Sequence, residues 1–205
     1  FARHGRYRIL PNYLPPLWSG VPTPRDPGTV HLGWSGAINT HPTDLKQVGT
    51  TVARVVRENP GVDVAVIGTG MGVAKQFGLP EVNAYGWQAL SDYPAAVGML
   101  DIGMVPLDLI PFNHAKSWLK GLEYAAVGTP FVASPTAEYR TLAEDGIGLL
   151  AHNPKDWYRH LTRLVRDVDY RLTLGARWRA QAFACYSLID HAHLWADSWS
   201  DAGAT

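Results

Sequence analysis

The sequence predicts an α/β fold: a doubly wound parallel sheet of about six strands with helices on both faces. Three observations carry this. Apolar runs of strand length, such as Val62 to Ile67 and Phe131 to Ser134, are nearly continuous, as in strands buried on both faces. They alternate with segments whose apolar residues recur at helical spacing. Glycine and proline punctuate the boundaries.

The totals narrow the class. A chain of 205 residues supports one good core, with the prior at one domain plus an appendage. Hydrophobic residues make up 46% and charged residues 18%, a globular composition. Lys plus Arg and Asp plus Glu both number 18, so no basic excess points to nucleic acid. Cys185 is the single cysteine; it excludes an internal disulfide and fits a reducing, cytoplasmic setting. No run of about 18 apolar residues predicts a spanning helix. The start, Phe1 to Tyr13, lacks the apolar centre of a signal peptide and an initiator methionine. A fragment or a processed chain is the expectation.

The elements follow in order. Residues 1–27 are proline-rich and read as a linker or extended arm. Val30 to Trp34 is a strand ending in Ser35-Gly36. A helix opens at Pro42 with Thr43 and Asp44 in its first turn, and Leu45, Val48, Val52, Val55 and Val56 form its apolar stripe. Asn59-Pro60-Gly61 ends it. Val62 to Ile67 follows as a central strand, which predicts a right-handed crossover. The loop Gly68 to Gly72 reads as a tight turn or a phosphate loop. The turn is favoured, because a dinucleotide fingerprint belongs after the first strand, with a helix opening at once. Val82 to Gly86 is a short strand, Ser91 and Pro94 start a helix through Leu100, and Asp101 to Val105 is the next strand.

Val105 to Ser134 organises the rest. A helix is bracketed by Pro111 before it and by Gly128 and Pro130 after it, with Leu119, Leu122, Ala126 and Val127 on its buried face. Asn113, His114, Ala115, Lys116 and Ser117 lie at its start, where free N–H groups and the dipole favour an anion such as phosphate. Lys116 adds a full charge. Glu123 follows two turns later on the same face, about 10 Å along the axis. The pair would bracket a nucleoside diphosphate, with ribose hydroxyls donating to Glu123. The plainer reading of Glu123 is a surface carboxylate paired with Lys120.

Beyond Ser134, a loop leads into a short helix, and Ile147 to Ala151 is a last strand. Asn153-Pro154 starts a helix with Trp157, Leu161, Leu164 and Val165 inward. Asp167 to Cys185 is a further helix with Arg171, Arg177 and Arg179 on a solvated face. His191 to Trp199 forms a terminal aromatic helix, whose Trp195 and Trp199 would leave an exposed patch if unpartnered.

Asp101-Ile-Gly, Val105-Pro-Leu, Pro111-Phe-Asn, Lys116-Ser, Leu119-Lys, Leu122-Glu-Tyr-Ala-Ala and Gly128-Thr-Pro-Phe-Val-Ala-Ser together resemble the nucleotide-sugar site of glycosyltransferases with two Rossmann-like domains (the GT-B architecture), family 4 in particular. The resemblance spans about Val30 to Trp199. It implies a C-terminal donor domain over 28–186, an interdomain arm over 1–27, and a C-terminal helix and tail over 187–205. It also implies that Glu123 binds the donor ribose and that Lys116 serves the diphosphate. In the family a second glutamate stands eight residues earlier; Ala115 occupies that position here. Gly36 and His41 match the loop that faces the diphosphate, and Tyr85, Gly86 and Trp87 the loop beside the base. His41 also reads as a polar residue near a helix start, and Trp87 as core.

Metal-independent catalysis without a cofactor is implied, and the eight histidines are scattered. The implied partners are a nucleotide-sugar donor and an acceptor domain or partner chain, with peripheral membrane association through the missing half. Family membership alone implies retention at the anomeric carbon. The alternatives are a non-catalytic nucleotide-sugar-binding or scaffold module, and one half of a sugar-nucleotide epimerase.

Overall fold

The computed structural model describes residues 8–21, 28–38, 43–69 and 72–203. Among them six strands form one sheet: β1 (Val30–Ala37), β2 (Val62–Thr69), β3 (Asn83–Ala84), β4 (Ile102–Val105), β5 (Phe131–Ala133) and β6 (Leu149–Leu150). Their order is β3-β2-β1-β4-β5-β6 and every pairing is parallel. The predicted class and strand number hold.

Helices link and flank the strands. They are α1 (Gly49–Glu58), α2 (Val73–Phe77), α3 (Tyr93–Gly98), α4 (Pro111–His114), α5 (Leu119–Ala126), α6 (Ala137–Glu144), α7 (Pro154–Arg166), α8 (Val168–Tyr186), α9 (Leu188–His191) and α10 (His193–Gly203). Leu32, Trp34, Val64, Val66, Ile102, Met104, Phe131 and Val132 bury the sheet's interior, and Trp157, Trp178, Tyr124 and Tyr139 from the helices close over it. α7 forms as its pattern predicts. Asn153 caps it by accepting the Asp156 N–H at 3.0 Å, and all four predicted inward residues are buried.

Four expectations need correction. The helix expected from Pro42 is a 3-10 turn, Asp44–Gln47, followed by α1; Pro42 itself lies outside the described residues. The helix expected from Pro111 to Val127 is two pieces, α4 and α5, with Lys116 in the break. Tertiary bonds hold that break open. The Trp118 indole donates to the Asn12 carbonyl at 2.8 Å, and the Ser117 hydroxyl accepts from the Asn12 amide at 2.8 Å. Third, Arg171 is buried rather than solvated. Its guanidinium donates to the Leu164 and Val165 carbonyls at 2.7 and 3.1 Å, satisfying the last turn of α7. Last, the terminal aromatic helix is divided at Ala192 into α9 and α10. Trp199 is 70% exposed, and its ring meets that of Trp195 edge-on at 6.3 Å.

The arm is tied down. Leu14 and Trp18 are buried. The Leu14 N–H donates to the Tyr186 carbonyl at 2.8 Å, and the Leu188 N–H to the Leu14 carbonyl at 2.9 Å.

α5 and α8 meet through two glycines. Gly128 closes α5 with φ +71, and a Cβ on Gly175 would lie 2.1 Å from the Gly128 carbonyl oxygen. Backbone cannot yield that distance cheaply. Gly175→Ala is therefore expected to destabilise the fold by about 2 kcal/mol or more, the scale of core overpacking. Urea denaturation followed by circular dichroism measures it.

Candidate functional site

In a sheet of this order the winding direction reverses between β1 and β4, and ligands bind at such a reversal, beyond the strands' carboxyl ends. Two polar clusters occupy this place.

The first centres on Asp44, which is 2% exposed at the start of its 3-10 turn. Its Oδ1 accepts the Asp108 N–H at 2.9 Å and the Asn113 Nδ2 at 2.6 Å. Its Oδ2 stands 3.3 Å from the Lys116 ammonium. Asn113 also donates to the Asp108 carbonyl at 2.8 Å. Asn113, expected at an anion site, is thus buried and ties the loop after β4 to the segment after β1. The helical-face argument that paired Lys116 with Glu123 fails, because Lys116 precedes α5.

The second cluster centres on Ser35, buried at the end of β1. The Ser35 N–H donates to Tyr124 Oη at 3.1 Å, and its Oγ lies 3.3 Å from the same oxygen. Tyr93 Oη lies 3.1 Å from both Ser35 Oγ and Glu123 Oε2. Each hydroxyl has one proton to give. Tyr93 is the donor toward both Ser35 Oγ and Glu123 Oε2, and the carboxylate is the stronger acceptor, so the Tyr93 proton goes to Glu123. Burial pushes both tyrosine hydroxyls well above their ordinary range, so they remain protonated donors.

Glu123 is half-buried. Desolvation raises its pKa, against the opposing pull of Lys120 and the Tyr93 hydrogen bond. Lys120 sits one turn before it and donates to the Ser35 carbonyl. Burial lowers the Lys120 pKa to about 8, Glu123 and Asp44 acting against this and Lys116 with it. The surface pairing of Glu123 with Lys120 does not form; the described ion pairs do not include it.

Two clefts flank Tyr93. One, of about 290 Å³, is lined by Gly36, Ile67, Gly68, Trp87, Gln88 and Leu90. The other, of about 300 Å³, includes Asn12, Tyr13, Trp18, Glu123 and Trp195. At the mouth of the first, Gly36 and Gly68 pair across β1 and β2. A Cβ on Gly68 would stand 2.3 Å from the Gly36 carbonyl oxygen, so the strand ends are bare there. Trp87 is 77% exposed, contrary to a core reading. The Gly86 carbonyl accepts the Gly68 N–H at 2.7 Å, and Tyr85 bonds Val66, so this loop is fixed to β2.

Gly36, Trp87 and Glu123 therefore line clefts at one end of the sheet. Ser117 instead faces the arm, and His114 and Ala115 are exposed on the break between α4 and α5. His41 lies outside the described residues, as do Gly70 and Met71 of the Gly68 to Gly72 loop. Sequence reasoning did not assign Tyr93 or Lys120 to the site and gave Asp44 only a place in a first turn. Lys120 carried a signal, one turn from Glu123; Tyr93 carried none. Among the described residues no group of three or more His, Cys, Asp or Glu side chains is placed to hold a metal ion, and no helix is long and apolar enough to cross a membrane.

A parallel α/β domain with polar clefts at its winding reversal is a nucleotide-type binding scaffold. The chain belongs to the glycosyl transferases group 1 family, whose model matches residues 29–167. It is similar to the D-inositol 3-phosphate glycosyltransferase of Streptosporangium roseum, at 32% identity over 114 residues, covering 46% of this chain and 26% of that protein. Its fold is similar to that of Anabaena HepE in complex with UDP and glucose, with a TM-score of 0.65 at 15% identity over 84% of this chain and 48% of HepE. It is also similar to the C-terminal domain of the group 1 glycosyl transferase LpcC of Francisella tularensis. There the TM-score is 0.61 at 18% identity, covering 79% of this chain and 88% of that one. The chain thus spans about a quarter of that curated relative and about half of HepE.

Asp44→Ala removes the carboxylate that pairs with Lys116 and accepts the Asp108 N–H and the Asn113 amide. It is expected to cost about 3 kcal/mol or more, as when one partner of a buried pair is removed. Thermal unfolding checks this against Lys46→Ala, an exposed control on the same turn.

Proposed function

We propose that the chain is the donor-binding part of a glycosyltransferase. It holds a nucleoside-diphosphate sugar at the carboxyl ends of β1, β2 and β4 for transfer to an acceptor presented by a further domain or partner chain. One observation carries the reading. Glu123 Oε2 is fixed by Tyr93, while Oε1 has no hydrogen-bond partner among the described residues and its side chain lines a cleft. A carboxylate oriented on one oxygen and open on the other is an acceptor for vicinal ribose hydroxyls. Trp87 offers a ring face for the base. Cations near the winding reversal, Lys116 among them, offset charge on the departing diphosphate. The anomeric carbon exchanges its bond to the diphosphate oxygen for one to the acceptor oxygen. The acceptor's proton is released, and retention of configuration is part of the proposal. UDP and glucose bound to HepE, which shares this fold, support the ligand class.

Titration calorimetry with UDP, GDP and ADP tests the reading. One nucleotide should bind, and Glu123→Ala should weaken it by about 1–3 kcal/mol, the scale for hydrogen bonds to a charged group. Binding of none would move the scaffold reading ahead. Donor consumption without an acceptor would favour an epimerase half. Trp87→Ala should weaken binding by about 1–3 kcal/mol, the worth of a stacked base; fluorescence or calorimetric titration measures it.

A further inference from the structure

We propose that Lys120 reads the donor's phosphate charge, reaching it past the bare backbone of Gly36 at the end of β1. This deepens the donor-binding reading above and rests on it.

Position is the first argument. Lys120 lies in the first turn of α5, beside the winding reversal, and its ammonium crosses to the Ser35 carbonyl. It lies 5.5 Å from the centre of the Trp34 ring. A Cβ on Gly36 would meet the Trp34 ring at 3.0 Å and the Lys120 ammonium at 3.3 Å. Glycine lets the Trp34 ring and the Lys120 ammonium close directly on the strand end, and Gly36 lines the cleft. An anion seated over Gly36 comes within reach of Lys120 with no side chain between them.

Charge is the second argument. Lys116 already stands 3.3 Å from a buried carboxylate. Lys120 bonds neutral groups, the Ser35 carbonyl and, at 3.5 Å, the Ser35 hydroxyl. Among the described residues no carboxylate forms an ion pair with it. The groups that act on it are Glu123 on its own helix, Lys116 on the break before it and Asp44 on the 3-10 turn. The hydroxyls of Tyr93 and Tyr124 stay neutral, held protonated by burial. A desolvated ammonium that forms no ion pair among the described residues is under-compensated. A diphosphate supplies the countercharge.

The proton balance follows. Burial brings the Lys120 pKa to about 8. An adjacent diphosphate favours the charged form and raises that value. Above about pH 8 the free site has lost the proton that the bound site keeps. Binding then takes up a proton, and diphosphate affinity falls by up to about tenfold per pH unit.

The test uses the whole chain and whichever of UDP, GDP or ADP binds, alongside the matching nucleoside. Calorimetry is run from about pH 7 to about pH 9.5, across the Lys120 titration, in two buffers of different ionisation enthalpy. In the native chain the diphosphate's advantage over the nucleoside should shrink as pH rises, and binding should take up protons. Lys120→Met should cut the diphosphate's affinity about tenfold or more, as for loss of a charge-assisted bond, and abolish proton uptake. Nucleoside affinity should not change. Lys120→Arg should keep the preference and lose the pH dependence. An unchanged preference in Lys120→Met overturns this assignment and leaves the donor reading standing. If that variant does not fold, the native chain decides: binding without proton uptake above about pH 8 overturns the proposal. Failure of every nucleotide and nucleoside to bind the native chain overturns the donor reading itself.

Discussion

The sheet changes its winding direction between β1 and β4, and much else answers to that reversal. The segments that leave these two strands diverge, so backbone groups at the seam lose ladder partners and must find others. Asp44 and Ser35 supply them from the same gap. Asp44 takes the Asp108 N–H, and Ser35 gives its own N–H to Tyr124. Two short polar side chains thus hold together the place where the fold leaves a crevice. The crevice is chemically rich because closing it required polar groups.

Stability and chemistry share these groups unevenly. The row from Tyr124 through Ser35 and Tyr93 to Glu123 joins β1, α3 and α5. Such a network rigidifies a core when every member is satisfied and is costly when one is not. Here it ends at a carboxylate with one oxygen left over. The Asp44 cluster is closed by comparison, with donors on both carboxylate oxygens. One cluster is closed into a joint, and the other leaves a carboxylate oxygen open at a cleft.

Much of this was legible in the chain. Val62 to Ile67 read as a buried strand because its apolar run, broken only at Asp63, is of strand length and suits a sheet covered on both faces. α7 was readable from Asn153 to Val165 because its cap and stripe are local. The resemblance singled out Glu123, which stands at a cleft. The break between α4 and α5 was not, because its cause, Asn12, stands 106 positions from Trp118. Arg171 looked solvated by type and is buried, because the tight joint after α7 leaves carbonyls that need a donor. Tyr93 joined the site only when α3 folded against α5, a placement that no spacing encodes.

The clasp at Leu14 has a mechanical meaning. Its N–H and C=O grip Tyr186 and Leu188 at once, so two stretches remote in sequence run side by side as a single laced cord. Torque applied to residues 8–13 would be borne by backbone bonds at α9 as well. The Tyr13 ring, stacked on His191 at 4.1 Å, stiffens the lacing. Glu123 and Tyr93 line the cleft beside it together with Tyr13 and Leu188. Any displacement of these two segments would therefore reshape the cleft that the carboxylate lines.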